Sequence, residues 1–411
     1  MITSFKKSFY HSSFLLYGMV IFPVLLGSIT AEGATYYVAT TGSDSNPGTS
    51  GQPWRNPKKC ASSPIQAGDT CIIQSGKYSD PSGNGILVYV SGNSPTGTSS
   101  QPITIKSESP LGAVMTIPSN ADSVNAAFYI TRPYYIIEGF DISGGDRDDS
   151  SISYAGIVFA RSATGGIAKL NSIHHIARTV CSNSAFGFSG LFVQGTYDVR
   201  IEHNQIYSIG RLREGENECS TKLFQNDHGI YIEGATNVIV QRNVFYDISR
   251  GFPIHVYKSG GTTTNLAIYH NTFSGHSPTG KPVGHILLAS TLKGATIKNN
   301  ISCDSQSGMI VAYSLTASDV TVSYNLSDAL EKVGSRLAGI TFANNIERST
   351  SLGFVDWAKS NFRLTPKSSA INRGTTVGVP PVEDGAPDIG AYEFSEQDSS
   401  TPKIPVGVAI Q

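Results

Sequence analysis

The chain has 411 residues, 42 of them glycine, only 15% charged side chains and a formal net charge of -1. Such a composition excludes a coiled coil and a disordered polyelectrolyte, and it supplies no basic field to hold nucleic acid or an anionic membrane. The length suits an elongated repeat fold.

In chain order, Lys6 and Lys7 precede an apolar run from Phe14 to Leu26, followed by small residues from Ser28 to Ala34. That order reads as a secretory signal over residues 1–31 with cleavage near Ala31. The run is shorter than the roughly 20 residues a membrane span needs, and no later segment could cross a bilayer as a helix. The expected product is secreted or displayed at the cell surface, a monomer with no membrane span in its mature form. Five cysteines follow, at 60, 71, 181, 219 and 303. Their spacing fits no zinc site. Cys60 and Cys71 read as one disulfide and Cys181 with Cys219 as a second, leaving Cys303 buried as a small hydrophobe.

From residue 199 a phrase recurs: VRIEHNQI, VIVQRNVF, LAIYHNTF, ATIKNNIS and VTVSYNLS. Each carries an apolar residue three before an asparagine, at Asn204, Asn243, Asn271, Asn300 and Asn325. An earlier YIIEGFDIS puts Phe140 in the same slot, and a later ITFANNIE puts Asn345 there. A second short strand precedes most of the asparagines: GLFVQG, GIYIEG, PIHVYKSG, HILLAS and MIVAYS. Short strands with turn residues at this period predict an all-β solenoid whose coils stack in parallel. The asparagine is expected to take a left-handed bend and to bond its counterpart on the next coil. The charged stretch 210–225 reads as a loop leaving the solenoid and walling one side of a groove.

At this point the chain resembles the right-handed parallel β-helix proteins of the pectin-lyase-like group. Residues 36–80 are similar to the entry segment of secreted members, which implies an N-terminal cap and first coil over about 35–80. Residues 353–394 are similar to the closing segment of bacterial surface β-helix proteins, which implies a β-helix domain over 35–394 closed by about 345–394. Residues 395–411 read as a polar tail. The resemblance further implies contact with an extracellular polysaccharide.

Alternation along the strands places Ile230, Ile232, Ile254, Val256, Ile286 and Leu288 inside. It sends Tyr231, Glu233, His255, Tyr257 and His285 outward, with Phe192 and Gln194 one coil earlier. His228, His255 and His285 then start consecutive coils beside Asp227, and this clustering marks a candidate site. Related β-helix enzymes commonly cleave acidic glycans by lyase β-elimination. That chemistry assigns Lys258 or His255 as base, Tyr231 or Tyr257 as acid, and Arg250 or Ca2+ against the carboxylate. His228 joins the catalytic set, and Asp227, Glu233, His285, Phe192 and Gln194 would touch substrate. Residues 257–273 resemble the Lys-Ser…Asn…Asn-Thr-Phe run of alginate and chondroitin lyases, which implies Lys258 as base. The two glutamates those lyases place five and seven residues before the lysine are here Pro253 and Gly251. Asp146, Asp148 and Asp149 form the one dense acidic cluster that could hold Ca2+.

Two alternatives stay open. A glycoside hydrolase needs two carboxyl groups roughly 5–9.5 Å apart. Asp227 and Glu233 are too far apart along an extended chain, leaving Glu214, Glu216 and Glu218 of the loop as the other source. The second alternative binds glycan on outward aromatics without cleaving it.

Overall fold

A computed structural model describes Met1 and residues 32–395, except 80–84, 120–123, 146–152, 184–186, 222–225, 249, 276–282, 331–337, 348–351 and 380–384. The expected signal segment and Asp146, Asp148 and Asp149 lie outside the described residues. The compact unit begins at Gly33.

Three parallel ladders run the length of the molecule. The first stacks Ile86–Val90, Val124–Ile130, Ser153–Ala160, Phe188–Gln194, His228–Glu233 and Ile254–Val256, and continues into the first halves of Ile286–Lys298 and Ile310–Ser323. The second starts at Thr35–Val38 on Thr70–Ile73 and passes through Ile167–Lys169, Arg200–Glu202 and Ile239–Gln241 to Ile340–Ala343. The third runs from Gly76–Tyr78 through Ser172–Ile176, Gln205–Ile209 and Val244–Ile248 to Ile346–Glu347. Each full coil contributes one rung to each ladder, which is the stacked solenoid expected from the repeat and the right-handed parallel β-helix expected from the resemblance. No helix among the described residues is long and apolar enough to cross a membrane.

The core follows from the alternation. Isoleucine, valine and leucine side chains from all three ladders fill the interior, among them Ile201, Ile206, Ile230, Ile232, Ile254 and Ile286, each with no exposed surface. Phenylalanines join them as stacked pairs, such as Phe245 on Phe273 at 4.9 Å.

From Glu138 onward the corner between the second and third ladders has two residues. Glu202 ends one strand and Gln205 begins the next, and the same interval separates Gln241 from Val244, Tyr269 from Thr272 and Lys298 from Ile301. The second corner residue is the repeated asparagine, and here one expectation is corrected. The left-handed residue is the one before it: His203, Arg242, His270, Asn299, Tyr324 and Asn344 all have φ between 51° and 57°. The asparagine instead turns its amide inward and spends it completely. In Asn271 the backbone N–H donates to Asn300 Oδ1 at 2.8 Å. Its Nδ2 donates to the same oxygen at 3.0 Å and to the carbonyls of Val240 and Tyr269, both at 2.9 Å. Its own Oδ1 accepts from Asn243 N at 2.9 Å. The stack starts one coil before the repeated phrase, at Asn171, and runs to Asn345. Left-handed corners occupied by Asp198, Asn237, Asn265, Gly294 and Asp319 form a parallel column between the first two ladders, using residues that tolerate that conformation.

Replacing one buried rung strands the partners above and below. Asn271→Ala should cost on the order of 2–4 kcal/mol, read as a lowered urea midpoint with unchanged slope. A midpoint within error of the parent would show that the amide stack contributes nothing net.

Both expected disulfides are present, Cys60–Cys71 and Cys181–Cys219, with Cα–Cα distances of 5.6 and 5.5 Å. Cys303 is free and buried. At the C-terminal end, Phe354–Asp356 pairs antiparallel with Asn361–Leu364. Phe362 of that pair packs on Val244, and the residues that follow fold back along the third ladder, with Ala391 on Val244 as well and Ala370 and Ile389 on Ile301 and Leu326.

Candidate functional site

The outer face of the first ladder carries a groove of about 530 Å³. Strand alternation sets its floor, since Ile230 and Ile232 fill the core while Tyr231 points out, and Ile254 and Val256 do the same for His255. His228, Tyr231, His255, Tyr257, Phe192 and Gln194 all line it, as do Tyr129, Ser189 and Asn226. The rings form a continuous surface. Phe192 stacks on Tyr231 at 5.1 Å, Tyr231 meets His255 at 5.0 Å, and His255 meets Tyr257 at 5.8 Å.

The two groove histidines are bonded to each other in a fixed sense. The backbone N–H of Phe252 donates to Nδ1 of His228 at 3.3 Å. A neutral imidazole that accepts at Nδ1 carries its proton on Nε2, and His228 Nε2 lies 2.8 Å from His255 Nδ1. His228 is therefore the donor and His255 the acceptor. Neutral His255 keeps its proton on Nε2, the nitrogen His228 does not touch. Burial disfavours the charged form of both rings: it pushes the pKa of His255 down to about 4, and burial with the neighbouring His255 holds His228 well below 6.5. The Tyr231 phenol is pushed up by burial, then by Glu233 and Tyr257, and stays protonated.

Glu233 and Lys258 sit at the groove's edge as an ion pair of 2.9 Å, and Gln194 Nε2 donates to the other glutamate oxygen at 3.2 Å. Lys258 is thus drawn to Glu233 rather than into the groove.

Three residues expected at the surface lie elsewhere. Asp227 is fully buried in a two-point pair with Arg211, with Nε to Oδ2 at 3.0 Å and Nη2 to Oδ1 at 2.9 Å. Arg250 is also buried, and its Nη1 donates to the carbonyl of Ser182 at 2.8 Å. Both brace the wall: residues 177–183 and 210–221 are tied by Cys181–Cys219 and by the ion pair of Arg178 with Glu216. His285 has no exposed surface, bonds Ser302 Oγ at 2.7 Å and stacks on Phe273. Ile286 pairs with Ile254, so His285 corresponds in register to Pro253 and to the inward-facing Gly229 rather than to His228. A Cβ on Gly229 would meet the core ring of Phe245 at 3.1 Å.

Glu214 and Glu218 are exposed and Glu216 is engaged by Arg178, so no carboxylate lines the groove among the described residues. No group of three or more His, Cys, Asp or Glu among them is arranged to hold a metal.

Residues 189–361 match the family model described as the right handed beta helix region. Most of the chain is similar to two solved structures, a pectate lyase and a rhamnogalacturonan lyase. The first is 15% identical, with 89% of this chain and 97% of that one covered and a TM-score of 0.51. The second is 14% identical, with 84% and 97% covered and a TM-score of 0.52. At that identity the likeness is one of fold. No curated protein matches the sequence.

Proposed function

We propose that this right-handed parallel β-helix is a carbohydrate-active protein that takes an acidic polysaccharide in the groove beside His255 and cleaves it by β-elimination. The observation that carries the reading is the ring-lined groove with the bonded pair His228–His255 at its centre. Aromatic faces suit pyranose rings, and the two disulfides are compatible with an exported setting.

Elimination at a uronate breaks the C–H bond beside the carboxyl group, forms a carbon–carbon double bond and expels the glycosidic oxygen, which takes a proton. Negative charge builds on the carboxylate as the C–H bond breaks. His255 Nε2–H and the Gln194 amide are the donors placed to meet that charge. Tyr231, held as the phenol, delivers the proton to the departing oxygen. Tyr257, on the far side of His255, relays the carbon-bound proton, yielding its own phenol proton to water as it takes that one. His255 is a donor in this scheme because its Nε2 already bears a proton. The hydrolase alternative has less support, since Asp227 is buried against Arg211 and, among the described residues, Glu233 is left without a second carboxylate at the edge.

The test is incubation of the full chain with pectate, alginate and glycosaminoglycans while following the ultraviolet absorbance of the unsaturated product. A rise is expected with one of them. New reducing ends without that absorbance would replace elimination with hydrolysis, and binding with neither would leave a glycan-binding scaffold.

A further inference from the structure

The groove does not end at the histidines. The outward column that holds His255 and Tyr231 continues in register to Phe192, Val158, Tyr129 and Tyr89, about 24 Å at ~4.8 Å per rung. The middle of this stripe is recessed. Val158 is short and covered, and the buried side chains packed with it are Ala126, Ala155 and Ala160, so the larger Tyr129 and Phe192 stand on either side. Tyr89, itself 45% exposed, meets Tyr129 edge-on at 5.5 Å. A soluble protein that leaves such a run of rings in reach of solvent has a reason to do so.

A charge follows the strand of Val158, three residues on, where the Arg161 backbone N–H donates to the carbonyl of groove-lining Gln194 at 2.6 Å. Arg161 follows Ala160 at a left-handed corner with φ of 41° and is exposed. Its positive charge acts on the Tyr129 phenol, opposing the upward push of burial and of Tyr89. Among the described residues its guanidinium is in no ion pair.

We propose that this recess is a second sugar-binding subsite, three rungs from His255, where a pyranose lies between Tyr129 and Phe192 and Arg161 takes the carboxylate of an acidic residue. The proposal rests on reading the groove as a polysaccharide site and extends it toward the N-terminal coils. Pyranose C–H faces pack on aromatic rings whatever their charge, whereas guanidinium binds a carboxylate through paired, charge-assisted hydrogen bonds. Ring and cation therefore contribute separable parts of recognition.

The experiment titrates the full chain by calorimetry with oligogalacturonate, oligomannuronate and oligoguluronate, and with the same oligomers after their carboxylates are reduced to alcohols. Arg161→Gln should weaken an acidic oligomer about tenfold, flatten its salt dependence and leave the reduced form unchanged. Tyr129→Ala should weaken both forms about tenfold, while Tyr129→Phe, which keeps the ring, retains binding. Arg161→Gln with an unaltered acid-to-neutral ratio, or Tyr129→Ala with parental affinity, overturns the subsite while leaving the groove. If the parent binds none of the oligomers but keeps its cooperative melt, the groove reading falls and takes the subsite with it.

Discussion

Acidification from pH 7 to about 4 is expected to unfold this protein or bring it close to unfolding. Burial lowers the pKa of six imidazoles, His175 and His203 among them, and holds four most firmly neutral: His255 with a pKa pushed to about 4, His270 and His285 to about 3, and His228 well below 6.5. In the unfolded chain each titrates near 6.5, so below that pH the unfolded state binds protons that the fold refuses. Their contribution to stability is complete above about 6.5 and is lost as pH falls through the folded values. Each imidazole steepens the loss by about 1.4 kcal/mol per pH unit, and ordinary domains hold only about 5–15 kcal/mol. Urea midpoints at a series of pH values between 7 and 4.5 should fall steeply. His285→Leu should reduce the slope by about one proton, since it removes the most enclosed ring. A midpoint flat across that range would mean the rings find solvent or a counter-charge in the fold.

Loss of His255 should have the largest effect on turnover. His255→Ala removes a side chain on the outer face, so the fold should survive while elimination drops by about 10²–10⁴-fold. The parent's rate profile should show no acidic limb near 6.5, where a solvated imidazole titrates, because burial holds the His255 pKa down to about 4. His228→Phe fills the same space but withdraws the donor to His255 Nδ1. It should lower kcat more than it raises KM, and imidazole nitrogen-15 spectra should show His255 losing its Nε2–H preference. Full activity in His255→Ala, with the cooperative melt intact, would remove the imidazole from the chemistry. An acidic limb near 6.5 would reassign that limb to another group.

Much of this architecture was legible in the recurring asparagine phrases, because a corner of fixed length repeats its residue types. Which corner residue bends was not legible. The phrase shows only that Asn follows a variable position, and that variable position turned out to carry the left-handed backbone. The outward placement of Tyr231, His255, Tyr257, Phe192 and Gln194 came from period-two alternation and holds within strands. It gives no purchase at Asp227, Arg250 or His285, which lie at strand entrances where the period stops. The Arg211–Asp227 pair bridges 16 residues across a loop, and no local pattern announces it. Tyr129 was visible by alternation beside Phe128, but without polar neighbours in sequence it carried no chemical signal.

The two-residue corner has an evolutionary corollary. Successive asparagines are separated by 33, 39, 28, 29, 25 and 20 residues, yet the stretch crossing their corner never changes length. All insertion and deletion is thereby channelled to the other vertices, including the one from which the disulfide-tied segments rise beside the groove. Such a molecule separates winding from recognition: its ancestors could lengthen or trim the rim to suit a new saccharide while the spool beneath kept turning unaltered.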